Sequence, residues 1–198
     1  MVAAKPSLTA GRDVFPYTRP VAGIPRGDAP NPIGRSFSII ADIEIPKEGT
    51  EGMLNTNGGR FGGYGLYVLK GKPVFTYNLA DFARFRWEGK EVLPAGKHTV
   101  EFEFTYEGPG FGKPGTGTLK VDGKAVDTKK IPATLASTTQ WDETFDVGSD
   151  TGTPVNDRDY KCPFVFTGKL EKLTVKLGPS QVLPAQKKAL EKKIGERD

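Results

Sequence analysis

Between His98 and Tyr106 the chain changes character at every residue: Val100, Phe102, Phe104 and Tyr106 alternate with Thr99, Glu101, Glu103 and Thr105. Consecutive side chains leave a β-strand on opposite faces, so a period of two describes a strand with one apolar and one wet face, and no helix presents it. Phe37–Ile45 repeats the pattern, with Phe37, Ile39, Ala41, Ile43 and Ile45 on one side and Pro46 and Gly49 closing it. A half-buried strand needs neighbours that satisfy its backbone and a second layer that covers its apolar face. These two segments restrict the chain to sheet architectures.

Shorter segments of the same kind surround them. Gly63–Lys70 sets Leu66 and Val68 against Tyr67 and Leu69, Gly71-Lys72 reads as a two-residue hairpin turn, and Val74–Asn78 and Phe82–Trp87 continue the meander. Leu119–Val126 is a hairpin folded at Asp122-Gly123, and Phe164–Leu177 is the last long strand region. Glycine and proline make up 25 and 16 of the 198 residues, and turn signals recur about every ten residues, the rhythm of an antiparallel sandwich or jelly roll. No strand–helix–strand alternation appears. The expected fold class is therefore all-β, with one β-sandwich domain over residues 36–178. Residues 1–35, rich in proline, predict an extended arm that Phe15, Tyr17, Val21 and Ile24 could pin to a surface. Residues 179–198 predict a short basic helical tail with Pro184 in its first turn and Gly195 at its stop.

The formal net charge is +4 and both signs are interspersed along most of the chain. Nucleic-acid binding would call for a basic stripe, and only the tail approaches one, so no nucleic-acid partner is expected. No apolar run reaches the length of a membrane-spanning helix. Met1–Pro6 contains no apolar core of a signal peptide, and the unpatterned start reads as an excised piece of a longer protein. A lone cysteine, Cys162, excludes an intrachain disulfide framework.

Catalytic constellations are sparse. A Ser-His-Asp triad or a Cys-His pair would have to use His98, the single histidine, and its place at the start of a strand suits a structural role better. Cys162 precedes Pro163, with no helix start after it to lower its pKa. One Cys and one His leave too few soft ligands for zinc. Gly59–Gly65 holds four glycines around Arg60, Phe61 and Tyr64, but nucleotide-binding glycine loops open a helix and here a strand follows, so a bulged turn is expected. Glu101 with Glu103, or Asp142 with Glu143, could form the carboxylate pair of a glycoside hydrolase. The segment Asp142–Val155 packs four acids, two glycines and a proline into fourteen positions. Hard oxygen ligands on such a loop suit calcium, with Asp146 and Asp150 the candidate ligands, although the spacing is not that of an EF-hand and Asp and Gly are ordinary turn formers. No cofactor is otherwise expected. Trp87, Trp141 and Tyr64, with Tyr67 and Tyr77, are the aromatic side chains that could stack on sugar rings.

Several separated motifs together resemble a known family. Gly58–Val68 is followed by Lys70–Leu79, then by Leu93–Val100, Leu119–Lys124, Asp142–Val155 and Pro163–Leu170. That order and spacing resembles the C-terminal β-sandwich domain of bacterial arylsulfatases over roughly residues 35–178. The resemblance implies a concanavalin-like jelly roll, a sulfatase catalytic domain as partner, and a parent family often periplasmic or secreted. Full-length relatives hydrolyse sulfate esters with a formylglycine made in a C/S-x-P-x-R motif beside a divalent cation. Cys162-Pro163-Phe164-Val165-Phe166 does not match that motif, so no catalytic residue carries over. The expected role is a non-catalytic accessory domain supporting a catalytic one. The alternative is a carbohydrate-binding, lectin-like module for polysaccharide, and third a glycoside hydrolase.

Overall fold

The computed structural model describes residues 8–47, 49–136, 143–186 and 188. Among the described residues, twelve strands form two six-stranded antiparallel sheets. In the first, β1 (Val14–Tyr17), β12 (Lys169–Leu177), β3 (Phe37–Ile45), β8 (Gly96–Tyr106), β9 (Gly115–Val121) and β10 (Lys124–Ile131) lie side by side in that order. The second runs β2 (Val21–Ile24), β11 (Phe145–Val147), β4 (Gly52–Gly59), β5 (Gly62–Leu69), β6 (Lys72–Leu79) and β7 (Ala83–Glu88). A 3₁₀ turn, Arg26–Asp28, interrupts the path from β2 to β3. The chain is a β-sandwich.

The two alternating segments behave as their pattern dictates. Along β3 every second residue is buried, from Phe37 to Ile45, and β8 pairs with it so that Phe37 faces Phe104, Ile39 faces Phe102 and Ala41 faces Val100. Their apolar faces meet Leu54, Tyr64, Leu66, Phe75 and Trp87 of the other sheet. Phe75 and Phe102 stack across the gap with ring centroids 3.4 Å apart, and Trp87 sits edge-on to both. The Trp87 Nε1–H donates to the Gly117 carbonyl at 2.9 Å, which removes the cost of burying an indole donor.

Differences from the sequence reading have physical causes. The turn between β5 and β6 is centred on Lys70-Gly71, one residue earlier than expected, because both adopt positive φ, 50° and 77°, as a two-residue hairpin requires. The strand expected from Phe164 begins only at Lys169; Val165 makes an isolated parallel bridge to Met53 instead. Residues 148–166 lie over the outer face of the second sheet, where Tyr160 packs with Met53, Tyr67 and Val74 in a small second core. That cover explains why β4 gave no alternating signal. It is buried on both faces, and its polar Asn55 and Thr56 are admitted because they bond to the Asp146 and Tyr64 carbonyls. The arm contributes a strand to each sheet: β1 pairs with β12 and β2 with β11. Residues 184–186 and 188 are helical; Leu190, Ile194 and Gly195 lie outside the described residues.

Candidate functional site

The sheets part at one end of the sandwich and leave a cleft of about 40 Å³. The first sheet brings Phe37 and Tyr106 to it, and the second brings Asn57, Tyr64 and Tyr77. Each stands at a strand end by register. Phe37 opens β3, Tyr106 closes β8, and Tyr64 near the start of β5 pairs with Tyr77 near the end of β6. Leu135, just after β10, and Glu143, just before β11, border the opening. The volume admits a few water-sized groups and not a sugar ring.

The three tyrosines differ in their hydroxyls. Tyr77 accepts the Leu135 N–H at 2.8 Å. Tyr106 donates to the Gly110 carbonyl and accepts the Lys113 N–H, which ties the glycine-rich 107–114 loop to the strand end. Tyr64 is 3% exposed, stacked between Phe37 and Phe75, and its hydroxyl has no hydrogen-bond partner of good geometry among the described residues. Burial pushes it well above the ordinary tyrosine range, with Asn57 acting against the shift. A buried unpaired hydroxyl costs roughly 1–3 kcal/mol. At the same opening stands Arg26, which no carboxylate pairs among the described residues and whose guanidinium partial desolvation holds below its usual range.

Glycine shapes the wall. Gly58 and Gly63 lie opposite each other where β4 and β5 converge, and a Cβ on Gly63 would collide with the Asn57 carbonyl oxygen. Gly59 and Gly152 flank the Glu143 carboxylate so closely that a side chain on either would strike it. Glu143 accepts the Thr153 N–H and hydroxyl. It is the only carboxylate among the described residues lining the cleft, so the cleft holds no facing pair of acids. Glu101 and Glu103 lie on the outer face of β8 beside Lys120.

Beyond the cleft, the two hairpin turns of this end carry Phe61, between β4 and β5, and Phe82, between β6 and β7, 59% and 91% exposed. Neither was singled out from the sequence. The available signal was an aromatic residue inside a turn, Gly59-Arg60-Phe61-Gly62 and Ala80-Asp81-Phe82. The Arg60 guanidinium stands 5.8 Å from the Phe61 ring centroid, and Arg84 bridges to Asp81 at 2.7 Å.

Of the aromatic candidates among the described residues, Tyr64 and Tyr77 line this cleft. Trp87 is enclosed by Phe75 and Phe102 in the core. Tyr67 is covered by Tyr160, and its hydroxyl pairs with Thr76 and Asp159. Trp141 and Asp142 lie outside the described residues. The acidic segment builds a corner. The Asp146 carboxylate accepts the Gly23 N–H at 2.8 Å, the Thr144 hydroxyl at 2.8 Å, the Thr151 N–H at 3.0 Å and the Thr151 hydroxyl at 2.6 Å, which binds β2, β11 and the turn after it. Asp150 accepts the Tyr160 hydroxyl at 2.6 Å, and burial pushes its pKa up to about 6. The neighbouring Cys162 thiol is likewise pushed up by burial and by the Asp150 charge, so it is a poor nucleophile. Among the described residues no three His, Cys, Asp or Glu side chains converge as a metal site. Both nitrogens of His98 are engaged, with Asp122 at 2.8 Å and the Pro94 carbonyl at 3.0 Å.

No protein-family model and no curated protein matches the chain. Solved structures do. The CBM40 module of the Ruminococcus gnavus IT-sialidase matches when bound to α2,3-sialyllactose (TM-score 0.54, 14% identity, 83% of this chain and 89% of that one). The same module without that ligand matches at TM-score 0.53, and bound to α2,6-sialyllactose at 0.52, each at 14% identity over 83% of this chain and 90% of the other. The likeness is one of fold. It overturns the expected kinship with arylsulfatase C-terminal domains: the architecture aligns with a module borne by a sialidase, and no sulfatase model matches. The motifs behind that resemblance are devices of sandwich hairpins in general. Gly58 and Gly63 permit close backbone approach, and Asp122-Gly123, with φ of 49° and 77°, makes a two-residue turn.

Proposed function

We propose that the chain is a non-catalytic carbohydrate-binding module that holds a glycan at the cleft end of the sandwich. The observation that carries this reading is the Tyr64 hydroxyl, buried in a cleft too small for a sugar ring and lacking a protein partner of good geometry there. A buried hydroxyl whose one side-chain neighbour, Asn57, meets it at poor geometry is left available to a ligand substituent that enters the cleft. A hydroxyl or carbonyl group on a sugar is small enough to enter while the ring stays outside. Arg26 and Asn57 supply further donors at the opening. The sandwich likeness to a module solved with sialyllactose supports the same class of ligand.

Glycan-array screening followed by calorimetry of the full chain tests it. Binding of at least one neutral or acidic glycan is expected, weakened about tenfold by Tyr64→Phe, the loss of one net hydrogen bond. If no glycan binds, the reading fails; if binding survives Tyr64→Phe unchanged, the cleft is not the site.

A further inference from the structure

We propose that Phe61 and Phe82 form a two-point stacking platform in front of the cleft, so that the ligand is an oligosaccharide chain rather than a single sugar. This rests on the glycan reading above. Among the described residues these are the exposed large aromatic side chains, and both stand at the cleft end of the second sheet. Strands β5 and β6 lie between the two turns, which places the turns two strand spacings apart, roughly 10 Å. Two consecutive sugar units span that distance.

Gly62, Leu135 and Ala80 meet between the tips, and Gly62 and Leu135 also line the cleft. Leu135 and the Ala80 Cα both close on Gly62, 3.5 and 3.7 Å from where a Cβ would stand. The Leu135 N–H in turn bonds Tyr77 inside the cleft. A pyranose has an apolar C–H face and a rim of hydroxyls, and this surface offers both complements. Aromatic faces take the C–H side, while Arg60 and Asp81 stand beside the tips as donor and acceptor for the rim. The same surroundings disfavour the other use of exposed tip aromatics, insertion into a lipid bilayer. Charge beside the tips is balanced, Arg60 and Arg84 against Asp81 and Asp157, so it offers no net attraction to an anionic bilayer surface.

The test is calorimetry of the full chain with cellotetraose, chitotetraose and 3′-sialyllactose against glucose, N-acetylglucosamine and N-acetylneuraminic acid. Phe61→Ala, Phe82→Ala and Tyr64→Phe are compared, with thermal melts showing each variant folded. The expected result is tighter binding of an oligosaccharide than of its unit sugar, a loss of about tenfold in that oligosaccharide binding for each Phe→Ala, and little change in the unit sugar's binding. Tyr64→Phe should weaken both. Equal binding of unit sugar and chain, or Phe variants that bind the chain as the parent does, overturns the platform and leaves the cleft reading standing. No binding of any saccharide sinks both. Phe-dependent sedimentation with phosphatidylcholine–phosphatidylserine vesicles, without saccharide binding, assigns the tips to a membrane and overturns the inference.

Discussion

At the scale of single residues, burial sets the chemistry of two groups. Tyr64 carries inside the cleft a buried hydroxyl that Asn57 meets only at poor geometry. Phe in its place removes the cost of burying that group, so Tyr64→Phe is expected to stabilise the ligand-free fold by about 1–2 kcal/mol, a rise of several degrees in Tm, while weakening glycan binding. Opposite signs for stability and binding separate a ligand-facing hydroxyl from a packing residue. Asp150 gives a pH signature. Its folded pKa of about 6 lies above the roughly 3.9 of an unfolded aspartate. The folded state therefore holds the proton more tightly. The stabilisation is fully present below pH about 4 and is lost as pH rises through about 6, a change of roughly 3 kcal/mol. Asp150→Asn cannot titrate, so the stability difference between parent and variant should shift against the parent across pH 4–7 in denaturant unfolding. A flat difference would show that the carboxylate is not desolvated as described. The sequence marks Tyr64 as a stacking candidate and Asp150 as a candidate calcium ligand, but the burial that sets their chemistry is not legible in it. Burial depends on what other segments place on top.

At the scale of elements, the hairpins were the most legible part of the chain. The alternation of β3 and β8, the Asp122-Gly123 turn and the strand character of β5 to β7 followed from local sequence, because side-chain period and turn φ are local properties. Strands β4 and β11 were not legible. β4 is covered on both faces, and β11 is three residues long and fully buried, so neither alternates. The β4–β5 hairpin makes its own prediction. Gly63 has a φ of 140° and no room for a Cβ against the Asn57 carbonyl. Gly63→Ala should cost about 3 kcal/mol, seen as a lower denaturant midpoint at an unchanged slope. A variant as stable as the parent would show that the strands can separate there. Because the same glycine walls the cleft, its replacement should also weaken glycan binding.

At the scale of the whole molecule, the arm is part of the sandwich. Val14 pairs with Lys176 and Phe145 with Ile24, so the first strands close onto elements far along the chain, one in each sheet. Phe15 is buried in the main core. Phe15→Ala should destabilise the whole fold by about 3–5 kcal/mol in a single cooperative transition; local loosening with an unchanged midpoint would show that the arm only rests on the surface. The sequence by itself determined most of the longer strands, the buried faces of β3 and β8 and where most hairpins turn. These depend on neighbours one to four residues apart. Tertiary structure alone decided the order of strands in each sheet, the entry of the arm into both, the cover over β4 and the cleft with its buried Tyr64 hydroxyl. Those features join residues from tens to more than a hundred positions apart, and no local pattern encodes which distant edge a strand will meet.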